Sequence, residues 1–182
     1  MFRKESFTHR KQFIRLWVHE VLRVFYDRLI DDKDRECLFN EIREAVNANF
    51  QEKFDVVLND LSSSIPIRYQ DATNLLFTSA TDIDAAENKK YEEPVEISNF
   101  IAIAQTVMDE YDMTHKSKLN IVLFRYALEH LSRICRIISI PGGCGLLVGV
   151  GGSGRQSLTR LASEMYNYNI FQPAITKSYS FN

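Results

Sequence analysis

The glycines of this 182-residue chain are concentrated in one place, where their spacing suits phosphate binding. All seven lie between Gly142 and Gly154. The apolar run Leu146-Leu147-Val148 precedes the densest part, Gly149-Val150-Gly151-Gly152-Ser153-Gly154, and a segment with helical spacing follows. Phosphate oxygens must approach several consecutive backbone N–H groups, which Cβ atoms would obstruct, and glycine also reaches the positive φ angles of such a loop. The pattern predicts a phosphate-binding loop between a buried parallel strand and a helix.

The loop matches the motif G-x-x-x-x-G-K-[ST] incompletely. Gly149 and Gly154 fit, but Arg155 stands at the lysine position and Gln156 at the hydroxyl position, with Ser157 one residue later. We expect backbone groups to contact phosphate, Arg155 to supply charge, and Gln156 or Ser157 to lie near any metal. The predicted binding residues are Gly149, Gly151, Gly152, Ser153, Gly154, Arg155, Gln156 and Ser157. The alternative is a glycine-rich turn that only packs the helix onto the strand.

Hydrolysis needs a second group of residues, including an aspartate at the end of a later strand. Beyond Ser157 the sequence contains one carboxylate, Glu164, and it lies on the helix that follows the loop. Val56-Val57-Leu58-Asn59-Asp60 is an apolar run that ends in an acid, but it lies among helical patterns and precedes the loop. We therefore predict no catalytic residue and no protein metal ligand, which disfavours a small, complete phosphotransferase.

The segments that must position the loop are mostly helical by their apolar spacing. Thr8 is a plausible N-cap for the first helix, the acids of Asp31-Asp32-Lys33-Asp34 suit the start of the second, and Ser98 suits the start of a later one. Pro141-Gly142-Gly143 ends the last helix before the loop. The predicted helices cover residues 8–29, 31–50, 54–61, 98–111 and 119–138. The predicted apolar stripe of the first helix consists of Phe13, Leu16, Trp17, Val21, Val24 and Phe25, and that of the second consists of Leu38, Ile42, Ala45 and Val46. The predicted fold class is α/β, predominantly helical.

Residues 63–97 break this helical pattern. Ser62-Ser63-Ser64-Ile65-Pro66 interrupts it, and no long helical period returns before Pro94. Leu75-Leu76-Phe77-Thr78 is a candidate short strand, and the rest is interpreted as a solvated loop. The predicted organisation is a helical subdomain at 1–62, an irregular connector at 63–97, and a module with the phosphate loop at 98–182.

The composition limits the environment and partners of the chain. Apolar residues make up 45% and charged residues 25%, and 22 basic against 24 acidic residues give a net charge of −2. This predicts a folded chain without affinity for nucleic acid or anionic membranes. The start of the sequence lacks an apolar leader, and no apolar run is long enough for a membrane span. Three cysteines without a Cys-x-x-Cys spacing favour a reducing, intracellular compartment.

The residues from Leu146 to Ala162, with the Gly154-Arg155-Gln156-Ser157 form of the loop, resemble the fourth AAA+ module of axonemal dynein heavy chains. The segment from Leu123-Phe124-Arg125 to Ile138 resembles the helix that enters this module. Upstream, Leu16–Leu29 is similar to the helical small subdomain that closes the third module. The resemblance covers nearly the whole chain. It implies partial AAA+ P-loop modules, a helical small subdomain followed by the P-loop start of the next module.

The resemblance also implies a cellular role. It predicts a fragment of an ATP-driven, minus-end-directed microtubule motor for ciliary or flagellar movement, located in the cytoplasm, cytoskeleton and axoneme. The expected ligand is ATP or ADP, with or without Mg²⁺, in a regulatory or structural site. Expected partners are the other AAA+ modules of the heavy chain and, through the full motor, intermediate and light chains and microtubules. The rival hypothesis is a non-catalytic helical interaction module that binds no nucleotide.

Other side chains are interpreted as structural. Arg23 is a candidate to face nucleotide in the third module, but a surface or packing role is favoured. His19, beside Glu20, is expected to pair with a neighbour, and Trp17 to lie in the core. His9, His115 and His130 are too scattered to form a metal site. In the family, glycine and further helices normally follow the residues that correspond to Thr176-Lys177-Ser178-Tyr179, whereas this sequence ends at Asn182. We therefore expect the isolated chain to be poorly stable and to lack ATP turnover.

Overall fold

A computed structural model of the chain describes residues 9–81 and 90–173, and this part is predominantly helical. It divides into two compact units, with the boundary between Phe100 and Ile101. The three predicted domains stay predictions. None of the described helices is long and apolar enough to cross a membrane. The α-helices of the described ranges are α1 (Arg10–Val24), α2 (Asp32–Asn49), α3 (Phe54–Val57), α4 (Tyr69–Ala72), α5 (Ile97–Thr114), α6 (Arg125–Ile138) and α7 (Arg155–Met165).

Helix α1 is shorter than predicted and turns a different face to the core. It ends at Val24 and is followed by a 3-10 turn at Tyr26–Arg28. Thr8, the predicted N-cap, lies outside the described residues. The buried apolar positions are Ile14, Leu16, Val18 and Leu22, whereas Phe13, Val24 and Phe25 of the predicted stripe are exposed and Trp17 and Val21 pack partly buried against the core.

Helix α2 begins as the acidic run predicts. The carboxylate of Asp31 accepts a hydrogen bond of 2.8 Å from the backbone N–H of Lys33, which satisfies one of the free donors of the first turn. Ile42 and Val46 of the predicted stripe are buried, and Phe39 joins them with an edge-to-face contact to Phe54. The helix predicted at 54–61 is limited to the four residues of α3.

The segment after Pro66 is not the solvated loop that its aperiodic sequence predicts. Ile67, Ala72, Leu75 and Phe77 are buried in the same core as α1 and α2, and they reach it with little regular secondary structure. The predicted short strand is reduced to one antiparallel bridge between Thr78 and Glu92. Irregular backbone can bury side chains as well as a helix does, without leaving a period in the sequence. The buried apolar residues of this segment are Ile67, Ala72, Leu75, Leu76, Phe77 and Ala80.

Helices α5 and α6 differ from the prediction at their starts. Ser98 lies inside α5 and donates to Glu96 over 2.9 Å, so it is not the N-cap. The six residues from Leu119 to Phe124 lie outside α6, because Asn120 has a left-handed backbone with φ of +46°. The backbone N–H of Leu119 donates instead to the carboxylate of Asp112 over 2.9 Å.

Helices α6 and α7 pack against each other and carry the glycine loop between them. Their shared core is apolar, and it fixes the direction in which α7 leaves the loop. The strand predicted at Leu146-Leu147-Val148 is absent from the described residues: Leu146 is 89% and Val148 is 83% exposed. A buried strand needs neighbours on both sides, and the described residues provide none here. The buried residues of the two helices include Leu128, Leu131, Ile134, Leu158, Leu161 and Met165.

Candidate nucleotide-binding loop

The backbone of the loop needs glycine at two defined positions. Gly152 has φ of +78° and Gly154 has φ of +74°, both in the left-handed region that other residues enter at a cost. A Cβ atom on Gly149 would lie 3.0 Å from the hydroxyl of Ser153, so this position also has little room for a side chain. The left-handed backbone at Gly152 and Gly154 therefore favours glycine, and Gly149 has limited room for a Cβ atom.

Helix α7 begins directly at the end of the loop. Its first intrahelical hydrogen bond runs from the N–H of Leu158 to the carbonyl of Gly154 over 2.8 Å. The amides of Arg155, Gln156 and Ser157 precede that bond, so they have no acceptor within the helix. They lie at the positive end of the helix dipole, where an anion is stabilised.

The loop has open space on the side-chain side of its glycines. No atom outside the adjacent residues lies within 4 Å of the position a Cβ atom would take at Gly151, Gly152 or Gly154. Gln156 is exposed and Ser157 is half-buried on the first turn of α7. Gly151, Gly152 and Ser153 are exposed as well, so this part of the loop is open to solvent.

Arg155 is the basic residue of the loop, and its guanidinium lies back over the loop itself. Nη1 donates to the carbonyl of Leu147 over 3.2 Å, and Nη2 donates to the carbonyl of Val150 over 3.1 Å. The backbone N–H of Ser153 also donates to Val150, over 3.3 Å. Arg155, the first residue of α7, therefore binds one carbonyl before the loop and one within it.

Two protein-family models match the segments of the sequence that contain these elements. Residues 119–182 match the family described as the P-loop containing dynein motor region D4, and residues 3–62 match the AAA+ lid domain. The chain is 47% identical over 184 residues to dynein axonemal heavy chain 12 of Mus musculus, and the match covers 100% of the chain. It is 39% identical to dynein axonemal heavy chain 3 of the same species, over 93% of the chain. The chain belongs to the axonemal dynein heavy chain family.

The match accounts for the arrangement of the elements in this dynein segment. The AAA+ lid match includes α1, α2 and α3, and the P-loop match includes α6, the glycine loop and α7. The resemblance and the fold class of partial, mostly helical AAA+ modules are confirmed. The chain spans 6% of the length of its heavy chain 12 relatives and 4% of heavy chain 3.

The dynein segment uses Asp60 for structure. Arg15 is 5% exposed and donates to Asp60 over 2.7 Å, to the carboxylate of Glu93 over 2.7 Å, and to the carbonyl of Val57 over 3.0 Å. Burial alone would raise the pKa of Asp60, but the hydrogen bond and charge of Arg15 outweigh it and leave that pKa below its ordinary value. Asp60 thus forms a structural ion pair with Arg15, and the absence of a metal-binding acid stays a prediction.

Sequence reasoning missed Arg15. Its signal was present, because Arg15 shares the i, i+3, i+4, i+7 spacing with Val18, His19 and Leu22, all of which are buried. A charged residue within such a face needs a buried partner. Its carboxylate partners lie far along the chain, so the sequence alone did not identify them.

The remaining candidates have structural contacts. Arg23 forms an ion pair with Asp27 over 3.3 Å, one turn further along the chain. His19 lies 3.2 Å from a Glu20 oxygen and contacts the ring of Phe77, as the predicted structural pairing requires. Within residues 9–81 and 90–173, no group of three or more His, Cys, Asp or Glu side chains is arranged to hold a metal.

Proposed function

We propose that this chain contributes a nucleotide-binding P-loop of regulatory or structural type to the AAA+ ring of an axonemal dynein. The motor it serves would be ATP-driven and minus-end-directed on microtubules, in cilia or flagella. Its partners would be the other AAA+ modules of the same heavy chain and, through the full motor, intermediate chains, light chains and microtubules. The proposed location is the axoneme, within the cytoskeleton of the cytoplasm.

One observation carries this proposal. The glycine loop, with left-handed backbone at Gly152 and Gly154, leads directly into a helix whose first three amides precede the first helical hydrogen bond. These residues fall within the match to the dynein P-loop family. A bound nucleotide supplies phosphate charge, and the loop and the first turn of α7 would bind it through backbone amides.

The proposed site residues divide by role. Gly149, Gly152 and Gly154 would give the loop its shape, and Gly151 and Ser153 would add amides close to the phosphates. Arg155 would add positive charge or hold the loop, and Gln156 or Ser157 would lie nearest a Mg²⁺ ion. ATP and ADP are the proposed ligands, and catalysis is not proposed for this segment.

A fluorescence titration tests nucleotide binding in a heavy-chain segment that includes the whole fourth AAA+ module. Saturable binding of fluorescent ADP and ATP is expected, and Arg155→Ala should weaken it. The same module with Lys118→Ala, a surface change far along the chain from the loop, is the matched control. If neither nucleotide binds the wild-type module, the glycine turn only packs a helix, and the rival interaction module is supported.

An ATPase assay on the 182-residue chain separates the proposal from a complete phosphotransferase. We expect no turnover, since Asp60 is engaged by Arg15 and Glu164 lies on α7 itself. Turnover above a protein-free blank, abolished by Gly154→Val, would contradict the proposed non-catalytic role.

A further inference from the structure

We infer that Arg155 is a positioning residue that holds the glycine loop in its binding shape through two backbone carbonyls. The inference rests on the proposed nucleotide-binding function and concerns how that same loop is held. Its guanidinium reaches the carbonyl of Leu147 at 3.2 Å and that of Val150 at 3.1 Å. The planar guanidinium therefore links the carbonyl of Leu147, just before the loop, to the carbonyl of Val150 within it.

The electrostatics of the first helical turn support this role. Arg155 is the first residue of α7, where a positive charge opposes the helix dipole. Carbonyl oxygens carry partial negative charge, so contact with two of them compensates for that unfavourable position. The same contact keeps the guanidinium beside the loop and leaves the amides of the first turn for an anion.

The packing at Gly149 fits this arrangement. A Cβ atom there would lie 3.5 Å from Cδ and Nε of Arg155, and 3.0 Å from the hydroxyl of Ser153. The arginine stem therefore lies against the face of Gly149. A Cβ atom at Gly149 would be in ordinary van der Waals contact with Arg155, and the tight contact at this position would be with the hydroxyl of Ser153.

Lysine is not equivalent to arginine in this role. A guanidinium presents several donors in a fixed fork, whereas an ammonium is a compact point charge on a flexible stem. Arg155→Lys keeps the charge near the loop but loses the fork that joins the carbonyls of Leu147 and Val150. If Arg155 acts only through its charge, Arg155→Lys should behave like the wild type. If it positions the loop through its guanidinium, Arg155→Lys should lose that function.

Hydrogen exchange of the complete heavy chain, measured by mass spectrometry on peptides that cover residues 146–158, tests the inference. In nucleotide-free protein, Arg155→Lys and Arg155→Ala should both exchange about fivefold or more faster at the loop, including the Ser153 amide that shares the Val150 carbonyl. Arg160→Lys is the matched control on the same helix. It keeps charge beside Ser117 and Gln172 and should leave loop exchange unchanged.

The ADP protection of Arg155→Lys distinguishes a positioning role of Arg155 from a role that needs only its charge. If Arg155 acts through the loop, Arg155→Lys weakens ADP protection of residues 146–158 about as much as Arg155→Ala does. Wild-type exchange in nucleotide-free Arg155→Lys, or full ADP protection in that variant, would overturn the inference. Unchanged exchange in α1 and α2 verifies that each variant is folded. If ADP protects nothing even in the wild type, the proposed function fails, while the nucleotide-free comparison still decides whether Arg155 holds the loop.

Discussion

At Gly154 the backbone has φ of +74° immediately before α7, and a Cβ atom there meets open space. The restriction at this residue is therefore conformational and does not come from steric contact with a neighbour. Gly151, earlier in the same loop, has the same open space without a positive φ. Gly151 and Gly154 therefore differ in backbone conformation but not in the space available for a Cβ atom.

Alanine at each of these two positions separates the effect of backbone conformation from that of space. Gly154→Ala should lower the unfolding free energy of the extended fourth module by about 1–2 kcal/mol, because alanine must hold a left-handed backbone. Gly151→Ala should change it by less than about 0.5 kcal/mol, since surface substitutions without strain are usually that small. Chemical denaturation of both variants measures the difference. Equal losses for the two would show that the left-handed backbone at Gly154 is not what the glycine provides.

A second residue-scale prediction concerns acid. The depressed pKa of Asp60 means that its ion pair with Arg15 stabilises the folded chain above the ordinary carboxyl range and that this contribution is lost as the pH falls through the folded-state pKa. The unfolding free energy of the wild type should therefore fall more steeply between neutral and acid pH than that of Asp60→Asn. Denaturation at several pH values measures both slopes. Glu44→Gln, an exposed change on α2, is the control, and a slope for Asp60→Asn as steep as the wild type would contradict the prediction.

At the scale of the element, the helix starts show what a sequence does and does not determine. Asp31 was predictable as part of an acidic cap because the interaction is local, two residues along the chain. The start of α6 was predicted six residues too early, because the apolar spacing continues through Asn120 although its backbone does not. The strand at Leu146-Leu147-Val148 was predicted wrongly for a different reason, since a strand depends on neighbours that its own sequence does not contain. The local cap at Asp31 was therefore predicted correctly, whereas the cap at Ser98, the start of α6 and the strand were not.

The same distinction applies to the candidate site. The left-handed glycines and the helix start follow from the motif itself, so the sequence located the loop and the residues that shape it. The contacts of Arg155 with Leu147 and Val150 depend on how the loop folds back, and the motif does not specify them. The ion pairs of Arg15 with two carboxylates join positions far apart in the chain and were not predictable from spacing.

The cap of α2 provides a prediction for an element. Asp31→Ala removes the 2.8 Å hydrogen bond to the N–H of Lys33 and leaves that donor to solvent. The expected loss of unfolding free energy is about 1 kcal/mol, the usual cost of removing such a cap. Glu41→Ala, at an exposed position within the same helix, should cost less. Denaturation of both variants measures this, and a loss for Asp31→Ala no larger than that for Glu41→Ala would show that the cap contributes nothing.

At the scale of the whole molecule, the two units differ in how completely they bury their apolar side chains. The first has a contiguous core drawn from α1, α2, α3 and the segment after Pro66. The second buries the interface of α6 and α7, but the run before its loop is exposed, with Leu146 at 89%. The expected poor stability of the isolated chain therefore belongs to the glycine loop and its approach more than to the first unit.

Hydrogen exchange along the isolated 182-residue chain tests this division. The centres of α1 and α2 should exchange most slowly, because they are helical and packed in a core, whereas residues 144–148, before the loop, should exchange at nearly the rate of an unfolded peptide. In the complete heavy chain, exchange at Leu146, Leu147 and Val148 should slow markedly if neighbouring strands pair with this run. Slow exchange of these three residues in the isolated chain would show that they are protected without further partners. Equally fast exchange in the complete heavy chain would refute strand pairing of this run there as well.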